Sequence, residues 1–201
     1  MVFVFAVFLV IGLISSGCQS DPAPEKEQVK KEQETQPSQP AAASQKTFHE
    51  AAFIGKLQEV RAQIEKGADV NGEDQDGRTA LMLAAFNGHT DTVRLLLVSG
   101  ARVDTRNAAG RTALMHASSG PYAETVRLLL ERKADPNLAD NVEKWTALMF
   151  AAGEGQTEVV KLLLKHGADA SIKDVDGDTA LDFARKNKHV ETIRILKEVP
   201  E

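Results

Sequence analysis

The sequence predicts an all-α repeat solenoid, and two recurring strings carry that reading. The first occurs four times, as Thr79-Ala-Leu-Met-Leu-Ala-Ala85, Thr112-Ala-Leu-Met-His-Ala-Ser118, Thr146-Ala-Leu-Met-Phe-Ala-Ala152 and Thr179-Ala-Leu-Asp-Phe-Ala-Arg185, starting 33, 34 and 33 residues apart. The second keeps step with it, as Val93-Arg-Leu-Leu-Leu97, Val126-Arg-Leu-Leu-Leu130 and Val160-Lys-Leu-Leu-Leu164. A fixed period of this size marks one supersecondary unit stacked on copies of itself.

Each part of the unit has a physical reason. Thr79, Thr112, Thr146 and Thr179 stand where a first helix starts, and a threonine oxygen there accepts an orphan backbone N–H. Gly88 and Gly155 suit a tight turn. The Leu-Leu-Leu runs then give a second helix with a face to bury. Gly67, Gly100 and Gly167 supply the left-handed residue that closes it. Lys133 occupies that place in the third unit, where a non-glycine residue costs about 1 kcal/mol. The same unit carries Ser119-Gly120-Pro121-Tyr122 at its helix turn and is followed by one extra residue before Trp145. The junction of the third and fourth units is therefore expected to be the loosest. A fainter copy, Thr47-Phe-His-Glu-Ala-Ala52, precedes these. The expected array is five units over residues 46–201, at about 46–74, 75–107, 108–141, 142–174 and 175–201. Glu50, Gln58, Arg61 and Gln63 at one end, and Arg185, Lys186, Lys188 and Lys197 at the other, read as the polar outer faces of terminal caps. Five units are expected to complete the array.

The period, the Asp76-Gly-Arg-Thr-Ala-Leu-Met-Leu-Ala-Ala85 opening, the Asn87-Gly88-His89 turn and the Gly67-Ala-Asp-Val-Asn71 close resemble the ankyrin repeat family. The resemblance spans residues 46–201. It implies a helix, a tight turn, an antiparallel helix and a protruding hairpin loop in each unit. Where the family has Thr-Pro-Leu-His, this chain has Thr-Ala-Leu-Met, so Met82, Met115 and Met149 are expected as flexible apolar filling. The resemblance also implies recognition of a protein partner along a concave side. By register, Gln75, Arg78, Arg111, Glu143 and Trp145 fall at the hairpin tips, and Phe53, Ile54, Phe86, Asn87 and Glu154 at the inter-helix turns. These ten are the candidate partner-binding residues. Phe53, Ile54, Phe86 and Trp145 are apolar where solubility favours polar residues. Trp145 beside Arg111 is the leading candidate, because Trp and Arg are enriched among binding hot spots. The rival placement folds Trp145 onto a neighbouring hairpin.

Ahead of the array lie two segments of different character. Residues 1–14, MVFVFAVFLVIGLI, are all apolar or glycine. As a helix they would rise about 21 Å, less than the roughly 30 Å of bilayer hydrocarbon. They fit the apolar stretch of a secretory signal. Ser15-Ser16-Gly17-Cys18 resembles the lipobox of bacterial lipoproteins, which implies a signal over residues 1–17 and acylation of Cys18, the only cysteine. No Asp directly follows Cys18, and in Gram-negative lipoproteins this implies the outer membrane, facing the periplasm. Residues 19–45 hold four of the seven prolines and six glutamines, with Val29 as the one large aliphatic. They cannot bury enough apolar surface to fold alone, so residues 18–45 are expected to be a disordered tether.

Composition excludes several functions. The 201 residues carry 24 Lys and Arg against 29 Asp and Glu, a formal net charge of −5, which speaks against a nucleic-acid partner. One cysteine leaves no intramolecular disulfide and no Cys-rich zinc site. No nucleophile elbow, phosphate-binding loop or metal-ligand spacing is present, so no catalytic residue, cofactor or metal is expected. His49, His89, His166 and His189 read as structural. His116 stands where other units have Leu83 and Phe150, and is expected to be partly buried with a hydrogen-bond partner. The expected function is non-enzymatic: a monomeric protein-binding module held at a bacterial cell envelope by its lipid. An immunity protein or inhibitor against an envelope-acting toxin, or an accessory factor of an envelope enzyme, is the alternative.

Overall fold

The computed structural model describes residues 39–199, with side chains from Ser44 onward. The signal, Cys18 and most of the tether lie outside the described residues. The described residues form ten helices: α1 (Gln39–Phe53), α2 (Leu57–Glu65), α3 (Ala80–Phe86), α4 (Thr90–Val98), α5 (Ala113–Ser118), α6 (Ala123–Glu131), α7 (Ala147–Gly153), α8 (Thr157–Lys165), α9 (Ala180–Lys186) and α10 (Val190–Lys197). Consecutive helices pack as five hairpins, and the hairpins stack. The odd-numbered helices form an inner row and the even-numbered helices an outer row. The loops between hairpins hold two isolated antiparallel bridges, Glu73 to Thr79 and Ala139 to Thr146. The all-α repeat solenoid is the observed architecture.

α1 begins at Gln39, inside the segment expected to be tether. Pro40 falls in the first turn, where a missing N–H breaks no helical bond, and Ala41, Ala42 and Ala43 are the best helix formers. The helix is then tied down from the array. The Gln45 amide donates to the Asp69 carbonyl at 2.9 Å, and Gln63 donates to the Thr47 hydroxyl at 3.1 Å. The expected boundary at residue 46 counted apolar residues, and these anchors are polar.

The threonine caps form in three pairs as expected. Thr79, Thr112 and Thr146 accept the N–H groups of Met82, Met115 and Met149 at 3.4, 3.4 and 3.3 Å. Thr179 differs: its own N–H and hydroxyl both donate to the Asp182 carboxylate, at 3.0 and 2.7 Å. Asp182 stands where the other pairs have methionine. The hydroxyl bond first, then the backbone bond, hold its carboxyl below the usual range. Met82, Met115 and Met149 are buried in one continuous core with Leu81, Leu114, Leu148, Leu96, Leu129 and Leu163. That core runs between the two rows, so each pair buries its apolar face on its neighbours.

A second lateral tie uses the inter-helix turns. Gly55 has φ +73°, and a Cβ there would sit 2.4 Å from the His89 ring. Only glycine lets His89 lie over the preceding turn. From there His89 Nε2 meets the Phe53 carbonyl at 3.0 Å, and the Asn87 amide donates to the same oxygen at 2.7 Å. Asn187 and His189 repeat this clamp on the Gly153 carbonyl at 2.8 and 2.9 Å. In the third pair Tyr122 takes the histidine's place and packs over Gly88 instead.

Among the described residues three lysines, Lys133, Lys144 and Lys188, take positive φ. Lys133 has φ +66° and Lys144 φ +62°, and both flank the junction of the third and fourth pairs. A side chain in the left-handed region costs on the order of 1 kcal/mol. Lys133→Gly is expected to raise the unfolding free energy by up to about 1 kcal/mol in urea denaturation. No gain would show that the site is already relaxed.

Candidate functional site

The inner row and the hairpin tips present two regions of different chemistry. Toward α9 the side chains are locked together. Trp145 is half-buried, not free at a tip. Its ring meets Phe150 edge to face at 5.2 Å and Phe183 at 4.9 Å. Its indole N–H donates to Asp174 on the next hairpin at 3.3 Å. This is the rival placement named above, and it corrects the picture of Trp145 as an exposed outlier. The cause lies one repeat away, in Phe183 and Asp174.

Arg111 is engaged in the same way. Its guanidinium lies 5.0 Å from the Phe150 ring centroid, and its Nε donates to Asp140 at 3.2 Å. Asp140 is fully buried and also accepts the N–H groups of Val142, Glu143 and Trp145. Lys186 lies 5.8 Å over Phe183 and forms an ion pair with Asp178. Glu143 is half-buried, and its carbonyl takes the Val175 N–H at 3.1 Å. Glu154 is exposed at the end of α7. Oxygens of Asp174, Asp176 and Asp178 lie within 4.8 Å of one another. Asp174 already accepts from Trp145 and from two loop N–H groups, and Lys186 neutralises Asp178.

Toward α1 the inner face is open. A cleft of about 1100 Å3 lies between the α1 wall, with Gln45, Lys46, His49 and Glu50, and the first hairpin, with Glu73, Asp74, Gln75, Asp76 and Arg78. Phe53, Ile54 and Leu83 complete its lining. A pocket of about 110 Å3 shares Phe53, Arg78 and Leu83 with it and adds Met82, Phe86 and His116. Phe53, Ile54 and Phe86 are 43, 53 and 47% exposed. The structure thus brings together five of the ten candidates: Phe53, Ile54, Phe86, Gln75 and Arg78. Asn87 is turned to its clamp on Phe53. Trp145, Arg111 and Glu143 belong to the locked region, and Glu154 lines neither cavity.

Arg78 is held within its own loop, with Nε 2.8 Å from Asp74 and a terminal nitrogen 3.0 Å from Asp76. Burial pushes the Asp74 carboxyl upward. Backbone N–H bonds from Arg78 and Asp76, with the Arg78 guanidinium, outweigh it and hold the group below its usual value. His49 meets the Gly72 carbonyl at 2.9 Å and fixes the base of the α1 wall.

His116 sits under this face. Phe86 contacts it edge-on at 5.8 Å, and the Asn107 amide lies 3.5 Å from its Nε2. Burial, then the Arg111 and Arg78 cations, push its pKa down to about 4. The ring is therefore neutral at pH 7. The sequence named neither Leu83 nor His116 as cleft residues. They share a register with Phe150 and Phe183, four residues after each capping threonine, and that column was the available signal.

The sequence model of a family described as "Ankyrin repeats (3 copies)" matches residues 48–140 and 124–200. No curated protein matches the chain.

The folded His116 refuses a proton until about pH 4, whereas the unfolded chain accepts it near the ordinary 6.5. Protonation therefore favours unfolding between these values, so this histidine removes stability as pH falls from 6.5 to 4. His116→Phe, the residue found in that column at Phe150, is expected to flatten the decline in urea midpoints over that window. An unchanged slope would place the acid sensitivity elsewhere.

Proposed function

Because this chain belongs to the ankyrin repeat family, whose arrays are protein-interaction modules, we propose that it is a non-enzymatic module that holds a protein partner in the open cleft beside α1. One observation carries this reading. Phe53, Ile54 and Phe86 stay about half exposed along a cleft and the small pocket that adjoins it, although the same fold covers the aromatic residues toward α9. Grouped apolar side chains on a rigid concave face mark interaction sites, since docking removes them from water without ordering them anew.

The N-terminal sequence supports a location as well. The apolar run of residues 1–14 ahead of Ser15-Ser16-Gly17-Cys18 fits export, cleavage and acylation at Cys18. The mature module then stands on the outer membrane, facing the periplasm, on the tether ahead of α1. Three acyl chains suffice for stable anchoring.

Cross-linking in the intact host, followed by recovery of the full-length protein, tests both parts. Wild type is expected to bring down a discrete protein partner, and Phe53→Ser with Phe86→Ser is expected to lower its recovery by about tenfold or more. Equal recovery would remove the cleft from the account. Cys18→Ser is expected to move the protein out of the membrane fraction. Retention there would assign the anchor to the apolar run itself. The identity of the partner then sorts a scaffold from an inhibitor of an envelope-acting enzyme or toxin.

A further inference from the structure

The open cleft carries charge as well as apolar surface, and the locked half of the molecule shows what such a surface accepts. Its lining holds Glu50, Glu73, Asp74 and Asp76 against Lys46 and Arg78, an excess of two carboxylates. Both cations are already committed. Arg78 is held by Asp74 and Asp76, and Lys46 faces Glu50 at 4.0 Å. Among the described residues no cation pairs with Glu73, which is exposed.

Toward α9 the same architecture supplies its own cations. Lys186 lies over Phe183 and Arg111 over Phe150. Lys186 falls in the column that holds Phe86, seven residues after the capping threonine, and Phe53, which follows the aligned alanine pair Ala51-Ala52. There the column presents two half-exposed aromatic rings, Phe53 in the acid-lined cleft and Phe86 in the pocket that adjoins it, and among the described residues no cation is laid on them. An aromatic face attracts a desolvated ammonium or guanidinium, and carboxylates at the rim add to that attraction. An acidic partner would meet the rim at a penalty, and a purely polar one would leave the rings in water.

Resting on the cleft reading above, we propose that the partner enters with a cationic apolar segment: a lysine or arginine laid on Phe53 in the cleft that Glu50 and Glu73 line, flanked by large aliphatic side chains that cover Ile54, Leu83 and the adjoining Phe86. Residues 19–38 are a poor occupant. They hold only Val29 as a large aliphatic and carry five acids against three lysines.

The test uses full-length protein in neutral phosphatidylcholine nanodiscs, with empty nanodiscs as the blank. Three fluorescent peptides of equal length are titrated by anisotropy: leucine with lysine, leucine with glutamate, and serine with lysine. The leucine–lysine peptide is expected to bind at least about tenfold more tightly than either of the others. Glu50→Gln with Glu73→Gln, two surface changes that spare the fold, is expected to weaken it roughly threefold to tenfold and to blunt its salt dependence. Phe86→Ser is expected to abolish it. Equal binding of the leucine–glutamate or serine–lysine peptide overturns the proposal, as does leucine–lysine binding that ignores all three substitutions. A self-associated protein that Phe86→Ser turns monomeric overturns it in favour of a second copy. A tenfold gain in peptide affinity on deleting residues 19–38 overturns it in favour of the chain's own tether. If no peptide binds while Phe86→Ser still abolishes partner recovery, this chemistry fails and the cleft stands. If recovery survives that substitution, the cleft reading itself fails.

Discussion

No helix pair in this protein can bury its own apolar face, and the rest of the structure follows from that constraint. Helices of six to nine residues, such as α5 and α6, are too short to persist alone in water. Their leucines and methionines leave water only when the next pair is in place. The polar ties obey the same rule. Asn87 and His89 of one pair hold the Phe53 carbonyl of the pair before, and Arg111 of one hairpin reaches Asp140 of the next. Stability is therefore a sum of neighbour interfaces, and weakness is local. Lys133 and Lys144, two of the three non-glycine residues with positive φ among the described residues, flank one junction, and Lys188 lies in the last pair.

A stack of this kind makes a surface that does not have to be ordered when a partner arrives, and so binding loses little conformational freedom. What differs along the surface is how far the protein has satisfied itself. From Arg111 to Lys186, aromatic rings, cations and buried carboxylates are matched within the chain. Beside α1 the matching stops. Arg78 turns back to Asp74 and Asp76 and leaves Phe86 uncovered, while Phe53 and Ile54 remain open at the turn before it. The internal pairing is incomplete at that end of the inner row.

Much of this was legible in the sequence because the signals are local or periodic. The threonine caps, the left-handed glycines, the buried methionines and the exposure of Phe53, Ile54 and Phe86 all follow from position within one unit. Part of what escaped depends on contacts with a neighbouring unit. Trp145 looked like a free tip residue because Phe183 and Asp174, which seat it, lie on the following pair. Asn87 looked available because the carbonyl it holds belongs to Phe53. Thr179 kept the capping residue type but reversed its role once Asp182 replaced methionine. α1 begins ahead of residue 46, where the array was expected to start, because its first turns of alanine, glutamine and serine carry no apolar stripe; Gln45 and Gln63 tie the middle of the helix by hydrogen bonds, and Phe48, Ala51 and Ala52 bury its later turns in the core.

The central claim is that the inner face beside α1, and not the outer row, meets the partner. Site-specific photo-cross-linking in living cells tests it directly, with a benzophenone side chain placed at Phe86 in the cleft or at Val98, which is 68% exposed at the end of α4 in the outer row. The account predicts an adduct of one discrete mass from position 86 and none from position 98. An adduct from position 98 with none from position 86 would contradict it.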